Sequence, residues 1–356
     1  MNYFIKRVLM ICLLASGMLA VPLSAFAGGG EAEEPAAEEA MVEEPMVEEP
    51  MVKDTDVSIY GRFWPRLTYE NSDGSSTDIT DALSRVGIKA NTQITETLSA
   101  VLRGEWDVDI EQNGNFGDAR LAYVGIKSED LGMVAIGKQW DPYFNTVAEV
   151  TDIFYHRASP FGYDNQGPFR STNLVTYSNS VAGLKVNAGM QVDGEVGNGD
   201  ASASHADNVD AASIGASFSS GPIYIGASYL RQNKDEDSVE RNFFGVGGSL
   251  NVMENLYLAV TYQYITDNYD DGTELNPFTL DVASAYSFGS VKALLGFFMS
   301  DKDDGDELMG YNVTLIKEVH PALDVFAEWV LTDKDQGDNV NTLSLGFRYD
   351  FDVQIF

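Results

Sequence analysis

The chain has 356 residues, of which 22 are basic and 55 acidic, so its formal net charge is −33 at neutral pH. Such acidity argues against nucleic-acid binding, because proteins neutralise phosphate backbones with lysine and arginine. The one cysteine, Cys12, lies in a segment that we expect to be removed, which leaves no disulfide or thiol chemistry in the mature protein.

The N-terminus has the features of an export signal. Lys6 and Arg7 precede an apolar run at 8–19, which is too short to span a bilayer comfortably, and small residues follow at 24–27. We predict a signal peptide over residues 1–27, cleaved after Ala27.

Residues 28–55 repeat the sequence Met-Val-Glu-Glu-Pro and consist mainly of Glu, Ala and Pro. Clustered like charges and regular prolines cannot bury enough apolar surface to offset the entropy of ordering. This composition predicts a disordered periplasmic spacer. It leaves open whether the spacer only solvates the chain or also contacts the cell wall or a partner.

From residue 56 to residue 356 the sequence alternates with period two. Leu343, Leu345 and Phe347, for example, alternate with Ser344, Gly346 and Arg348. Short connections alternate with longer ones rich in Asp, Asn and Gly, an arrangement typical of outer-membrane barrels. We therefore predict an all-β fold: a transmembrane antiparallel β-barrel of about 16 strands that encloses water.

One connection, between the alternating runs that end near 139 and resume at 171, is far too long for a hairpin turn. It is rich in Phe, Tyr and Ile, which need a surface to pack on, and long ordered loops are usually functional. We predict that this loop folds into the barrel lumen and narrows it. Spacing within 143–154 suggests a helix that presents Glu149 and Asp152, three residues apart, on one face.

Strand parity predicts which basic side chains face the lumen. The assignment of Arg120 assumes that Leu121 and Tyr123 face lipid, and that of Arg170 assumes the same of Val175 and Tyr177. A basic wall opposite an acidic loop would set a transverse field across the pore. The predicted constriction comprises Arg62, Arg66, Arg85, Lys89, Arg103, Arg120, Arg170, Glu149 and Asp152.

Several stretches together resemble the sixteen-stranded, trimeric general diffusion porins of Gram-negative bacteria. They are SIYGRFWPRLTYE, SRVGIK, ARLAYVGIKSEDLGMVAIGKQWDPY, FRSTNLVTYSN and NTLSLGFRYDF. The resemblance implies passive diffusion of ions and small hydrophilic solutes, a homotrimer, and an outer membrane of lipid and lipopolysaccharide. It also places Arg85, Arg120 and Arg170 at the family's wall arginines and Glu149 and Asp152 at its constriction acids.

Two features depart from the family's pattern. The acidic spacer is not part of it, and the terminal Phe that serves as insertion signal corresponds either to Phe351, which is in phase with Phe347 and Tyr349, or to Phe356.

Other functions fit the sequence less well. No serine is visibly paired with His156, His205 or His320, and neither Cys nor paired His supplies metal ligands, so we expect no enzyme, cofactor or metal. The alternatives that stay open are a channel selective for sugars, phosphate or organic acids, and a structural or adhesive barrel.

Overall fold

The computed structural model describes residues 53–112, 114–155, 162–163, 166–192, 209–233, 239–335 and 337–355. The predicted signal peptide, the predicted spacer up to residue 52, and Phe356 lie outside these residues. The strands are β1 (Lys53–Phe63), β2 (Pro65–Asn71), β3 (Ser75–Asp81), β4 (Arg85–Gln93), β5 (Leu98–Val108), β6 (Phe116–Ser128), β7 (Gly132–Trp140), β8 (Arg170–Val181), β9 (Leu184–Gln191), β10 (Ala211–Ser220), β11 (Ile223–Gln232), β12 (Val239–Met253), β13 (Leu256–Tyr269), β14 (Glu274–Leu275), β15 (Phe278–Phe288), β16 (Val291–Asp301), β17 (Glu307–His320), β18 (Leu323–Lys334) and β19 (Val340–Gln354), and the helix is α1 (Pro142–Val147).

All of these strands form one antiparallel sheet that closes on itself. Except at three breaks, strands that follow each other in the chain pair with each other, and β1 pairs with β4. β19 pairs with both β1 and β2, which joins the last strand to the first. Three short breaks divide single strands in two, between β1 and β2, β3 and β4, and β14 and β15, so the described segments make sixteen strands. The predicted sixteen-stranded antiparallel barrel is confirmed.

The two faces of this sheet differ in composition. On β13, Val260 and Tyr262 are 45% and 40% exposed, whereas the alternating Thr261 and Gln263 are fully buried. The other strands repeat this pattern, with exposed large apolar side chains on what we call the apolar face and small or polar ones on the polar face. A water-soluble sheet would bury its apolar residues, so the distribution is inverted.

The break between β1 and β2 lies opposite the break between β3 and β4. The Trp64 amide donates to Ser84 Oγ at 2.8 Å, and Ala82 donates to the Trp64 carbonyl at 3.0 Å. Between them Leu83 has φ of 79°, a left-handed conformation that a bulky side chain rarely adopts. The wall therefore bends at Trp64 and Leu83.

The connection between β7 and β8, residues 141–169, is called the long connection. The buried apolar core forms around its described residues. Its helix begins because Asp141 accepts a hydrogen bond from the Tyr143 amide at 2.8 Å and Pro142 occupies the first turn. The helix ends at Val147, so it is shorter than the helical spacing of 143–154 suggested. Within the described residues, no helix is long and apolar enough to cross a membrane.

Candidate functional site

Glycines on four adjacent strands make room for the long connection. They lie on the polar face at Gly189 of β9, Gly215 of β10, Gly226 of β11, and Gly245 and Gly247 of β12. A Cβ at Gly226 or Gly247 would overlap the carbonyl oxygen of Thr146 or Val147, and a Cβ at Gly189 would lie 2.9 Å from Pro142. We call these five residues the glycine bed. Helix α1 can approach the wall backbone only because they lack side chains.

Hydroxyl groups of the same wall bind the carbonyls at the end of the helix. Tyr224 Oη donates to the Thr146 carbonyl at 2.8 Å, and Thr261 Oγ1 donates to that of Val147 at 3.0 Å. Tyr257 Oη donates to the Val150 carbonyl at 2.7 Å. The last carbonyls of a helix have no partner within it, so these wall hydroxyls satisfy groups that burial would otherwise leave unpaired.

Two buried wall carboxylates hold the rest of the described connection. Glu328 of β18 accepts from the Tyr155 amide at 3.0 Å. Asp281 of β15 accepts from the amides of Gly162 and Tyr163 at 2.6 and 3.2 Å. Hydrogen bonds to charged acceptors are stronger than neutral ones, so these contacts fix the connection along the wall.

A cavity of about 530 Å³ lies between the long connection and the strands at the beginning and end of the chain. Seven of the nine predicted constriction residues line it: Arg62, Arg85, Arg103, Arg120, Arg170, Glu149 and Asp152. The other two do not. Arg66 is buried and donates to Thr80 and to the Tyr155 carbonyl, and Lys89 pairs with Asp352 at 2.5 Å.

Glu105 is the centre of the basic cluster. Its carboxylate lies 2.8 Å from Arg120 Nε and 3.8 Å from both Arg85 and Arg103. Arg120 also pairs with Asp107 at 2.9 Å, and the Tyr60 hydroxyl donates to Glu105 while accepting from Arg103. One buried carboxylate thus holds three arginines in fixed positions.

Arg120 reaches Glu105 by a route that strand parity did not anticipate. Leu121 is buried, and Tyr123 lies directly opposite Arg103 in the register of β5 and β6, so its side chain shares the face of Arg103. The assumption that Leu121 and Tyr123 face lipid is therefore wrong. A register shift opposite Glu105 and Trp106 inserts an extra residue into β6 at Arg120. Such a bulge places successive side chains on one face. Val175 and Tyr177 pair with the exposed Ile136 and Val134, as the assignment of Arg170 assumed.

Arg348 is a cavity residue that sequence reasoning did not select. It pairs with Asp350 at 2.8 Å and Asp324 at 3.2 Å, and its guanidinium lies 4.7 Å from the ring centroid of Tyr155. Arg62 pairs with the same Asp350 at 2.6 Å. Alternation along β19 puts Arg348 on the other face from Phe347, so strand parity could have identified Arg348 as a lumen-facing residue.

Aromatic side chains form much of the remaining lining. Trp64, Trp140, Phe144 and Phe169 line the cavity together with Phe154 and Tyr155. Trp140 is the last residue of β7, Phe144 lies in α1, and Phe169 is the last residue of the long connection. Their meeting depends on tertiary structure, and no local pattern indicated it.

Glu149 lies apart from the arginines electrostatically. Partial removal of its carboxyl from water raises the Glu149 pKa, and the charge that opposes this shift is Lys185 of β9. Its side chain is exposed and lines the cavity, as does that of Asp152. The acidic part of the lining therefore belongs to the long connection and the basic part to the wall.

Comparison with known proteins identifies the fold and its family. A family model described as Gram-negative porin matches residues 15–354. The chain belongs to the Gram-negative porins. As a porin of the outer membrane it turns its apolar face to lipid and its polar face to the barrel interior. The predicted family and localisation are confirmed.

Individual relatives are distant in sequence but similar over most of their length. An outer membrane porin protein of Bordetella pertussis is 25% identical over 337 residues, covering 83% of this chain and 86% of that one. Outer membrane porin PhoE of Escherichia coli is 24% identical over 332 residues, covering 83% and 91%. Among solved structures, the anion-selective porin from Comamonas acidovorans has a TM-score of 0.70 at 14% identity, covering 84% of this chain and 100% of that chain.

Proposed function

We propose that this porin is a water-filled channel for passive diffusion of ions and small hydrophilic solutes, narrowed by the long connection folded into its lumen. One observation carries the proposal. The connection contacts the glycine bed on β9 to β12, Asp281 and Glu328 on β15 and β18, and Trp64 at the first strand. These strands lie around the closed barrel, so a single connection can contact all of them only from the inside.

The charges of the cavity support mild charge selection across a narrow section. Within the described residues, six arginines line it, and their ion pairs and the connection supply carboxylates from Glu105, Asp107, Asp324, Asp350, Glu149 and Asp152. These formal charges cancel in sum, but the wall carries six arginines with four carboxylates, whereas the connection carries the other two carboxylates. Two unit charges ~10 Å apart at an effective dielectric constant of ~20 interact by ~1.7 kcal/mol. Screening over ~8 Å confines the effect to the cavity, so we expect size selection with a several-fold bias between ions.

The proposal includes a homotrimer in a membrane of lipid and lipopolysaccharide. OmpT of Vibrio cholerae, solved in a trimer form, shares the fold with a TM-score of 0.66 at 17% identity, covering 83% of this chain and 99% of that chain. The proposal assigns no catalytic step to the barrel.

Single-channel recording of the refolded, full-length mature protein in a planar bilayer tests the proposal directly. We expect a current in KCl that is linear in voltage and does not saturate as the KCl concentration rises. Absence of any current would leave only a structural or adhesive barrel.

Reversal of both loop acids tests the field across the cavity. We expect Glu149→Lys with Asp152→Lys to shift the permeability ratio several-fold toward anions, because both substitutions place positive charge opposite the arginines. Lowering the pH should also move the reversal potential toward anions. Because its pKa is raised, Glu149 is protonated, and so loses its negative charge, at a higher pH than an ordinary glutamate.

The matched control is Glu129→Lys with Asp130→Lys, which changes the net charge equally in the exposed turn between β6 and β7. If the two double variants shift the reversal potential to the same extent, the loop acids have no special place in permeation.

A further inference from the structure

Arg170 differs from every other arginine of the cavity. Arg62, Arg85, Arg103, Arg120 and Arg348 each have a carboxylate within 4 Å. Within the described residues, Arg170 forms no ion pair, and its Nε is buried without a hydrogen-bond partner. A buried polar group without a partner is uncommon in native structures and calls for an explanation.

Aromatic rings hold this unpaired guanidinium in place. It lies over Trp140, 4.1 Å from the ring centroid. Trp140 stacks in turn on Phe144, with centroids 4.7 Å apart and planes 17° apart, and Phe144 contacts Phe169 at 5.0 Å. Arg170 therefore has a flat face covered by Trp140 and its Nε donor unused among the described residues, next to a continuous aromatic surface.

The charges around Arg170 favour an anion. Its electrostatic neighbours are Arg85 and Arg120 as well as Glu105 and Asp107, and these two carboxylates are already engaged by Arg120. Glu149, by contrast, is coupled to Lys185 on another part of the wall. A guanidinium presents a planar fork that fits a carboxylate with two parallel hydrogen bonds.

The aromatic surface determines what the rest of the ligand should be. Trp140, Phe144 and Phe169 all line the cavity beside Arg170. Arg170 and Phe144 already cover the faces of Trp140, so the rings offer mainly their edges to an apolar planar group, an arrangement that aromatic pairs favour. The cavity volume of about 530 Å³ lies within the roughly 300–1,000 Å³ usual for small-molecule sites. A sugar would use the rings but bring no negative charge to the guanidinium, and a phosphate would use the guanidinium but not the rings.

We propose that Arg170, Trp140, Phe144 and Phe169 form a weak binding subsite for aromatic carboxylates that traverse the channel. The subsite rests on the proposed channel function and specifies one solute class for the same cavity. Its occupant pairs its carboxylate with Arg170 and lays its ring against the aromatic surface.

Channel block by small solutes tests the subsite. The probes are benzoate, acetate and benzyl alcohol, added to KCl in single-channel recordings of the mature protein. We expect benzoate to reduce the current at a concentration about two- to ten-fold lower than acetate, the range that one aromatic contact supplies. Benzyl alcohol, which has the ring without the charge, should act no more strongly than acetate. Equal block by all three probes would overturn the subsite.

Two variants test whether Arg170 and Phe169 form the subsite. Block in each variant is measured relative to the conductance of that variant in KCl alone. Arg170→Gln should abolish the difference between benzoate and acetate, and Phe169→Leu, which keeps the guanidinium, should reduce it. Arg231→Gln removes an exposed arginine that pairs with Glu240 on the wall and should retain the wild-type difference. If Arg170→Gln does not insert into the bilayer, Phe169→Leu decides, and an unchanged difference in either variant contradicts the proposal.

The result also separates the subsite from the channel itself. A wild-type protein that gives no KCl current refutes the proposed function, whereas a current without preferential block by benzoate refutes the subsite alone.

Discussion

The two sides of the barrel contribute different things to the cavity. Strands β19, β1, β4, β5 and β6, which are contiguous through the closure of the sheet, and β8, which β7 separates from β6, supply all six of its arginines among the described residues. We call this side the arginine wall. Strands β9 to β13, with the glycine bed and the hydroxyls of Tyr224, Tyr257 and Thr261, hold the long connection and place no arginine on the cavity lining.

This division follows from what each side has to bury. Arginines crowded at one site need carboxylates to compensate them, and the buried Glu105 and the partly exposed Asp350 each pair with more than one arginine. A helix laid against a strand needs the opposite, namely missing side chains and partners for its carbonyls. Charge and pore shape are therefore encoded on separate strands, and substitutions should alter one without the other.

The largest effect is expected at the centre of the arginine wall. Glu105→Leu removes the carboxylate shared by Arg85, Arg103 and Arg120, and breaking a buried ion pair from one side costs about 3–5 kcal/mol. We expect a lower free energy of unfolding, measured by denaturant titration in lipid vesicles, together with a reversal potential shifted toward anions.

The isosteric Glu105→Gln is the control for this substitution. It keeps hydrogen-bond acceptance, so it should lose less stability while shifting the reversal potential in the same direction. If Glu105→Leu instead changes pore size with no change in ion preference, charge is not confined to the arginine wall.

A smaller effect on stability, but a clear one on shape, is expected in the glycine bed. Gly247→Ala places a methyl group against the Val147 carbonyl, which must move, and overpacking of this kind costs about 1–3 kcal/mol. We expect the single-channel conductance to change while the permeability ratio of K⁺ to Cl⁻ stays within the wild-type range.

The neighbouring residue of the same strand is a matched control. A Cβ at Gly248 would meet only the Tyr224 carbonyl, at an ordinary 3.6 Å. Gly248→Ala should therefore leave conductance unchanged. Equal changes in the two alanine variants would mean that β12 responds to any added methyl group and that the long connection is not the cause.

The sequence predicts the arginine wall much better than the glycine bed. Alternation alone indicates the side on which Arg62, Arg85 and Arg103 lie, because a strand has period two and lipid selects one face. Alternation gives the wrong side where the period is interrupted. At the bulge in β6 it misassigned Leu121 and Tyr123, although Arg120 still reaches the cavity.

The loop side depends on contacts between distant segments, which no local pattern contains. Alternation along β12 puts Gly245 and Gly247 on one face and Gly248 on the other, yet only the position of α1 shows why the first face must lack side chains there. The helix likewise ends at Val147 and not near Phe154, because Tyr224 and Thr261 provide partners for its final carbonyls. Neither partner could be inferred from the spacing within 143–154.

The smallest effect is expected for a single hydroxyl of the loop side. Tyr257→Phe removes the hydrogen bond to the Val150 carbonyl and keeps the ring, a loss of about 0.5–1.5 kcal/mol for one hydrogen bond. Mean conductance should barely change, because Tyr224 and Thr261 still hold the adjacent carbonyls. Local mobility near Glu149 should instead increase the current noise of the open channel. Tyr262→Phe, on the lipid-facing side of the same strand, is the control and should leave the noise unchanged. Quiet recordings from Tyr257→Phe would show that the glycine bed alone fixes the long connection, and that the wall hydroxyls only satisfy its carbonyls.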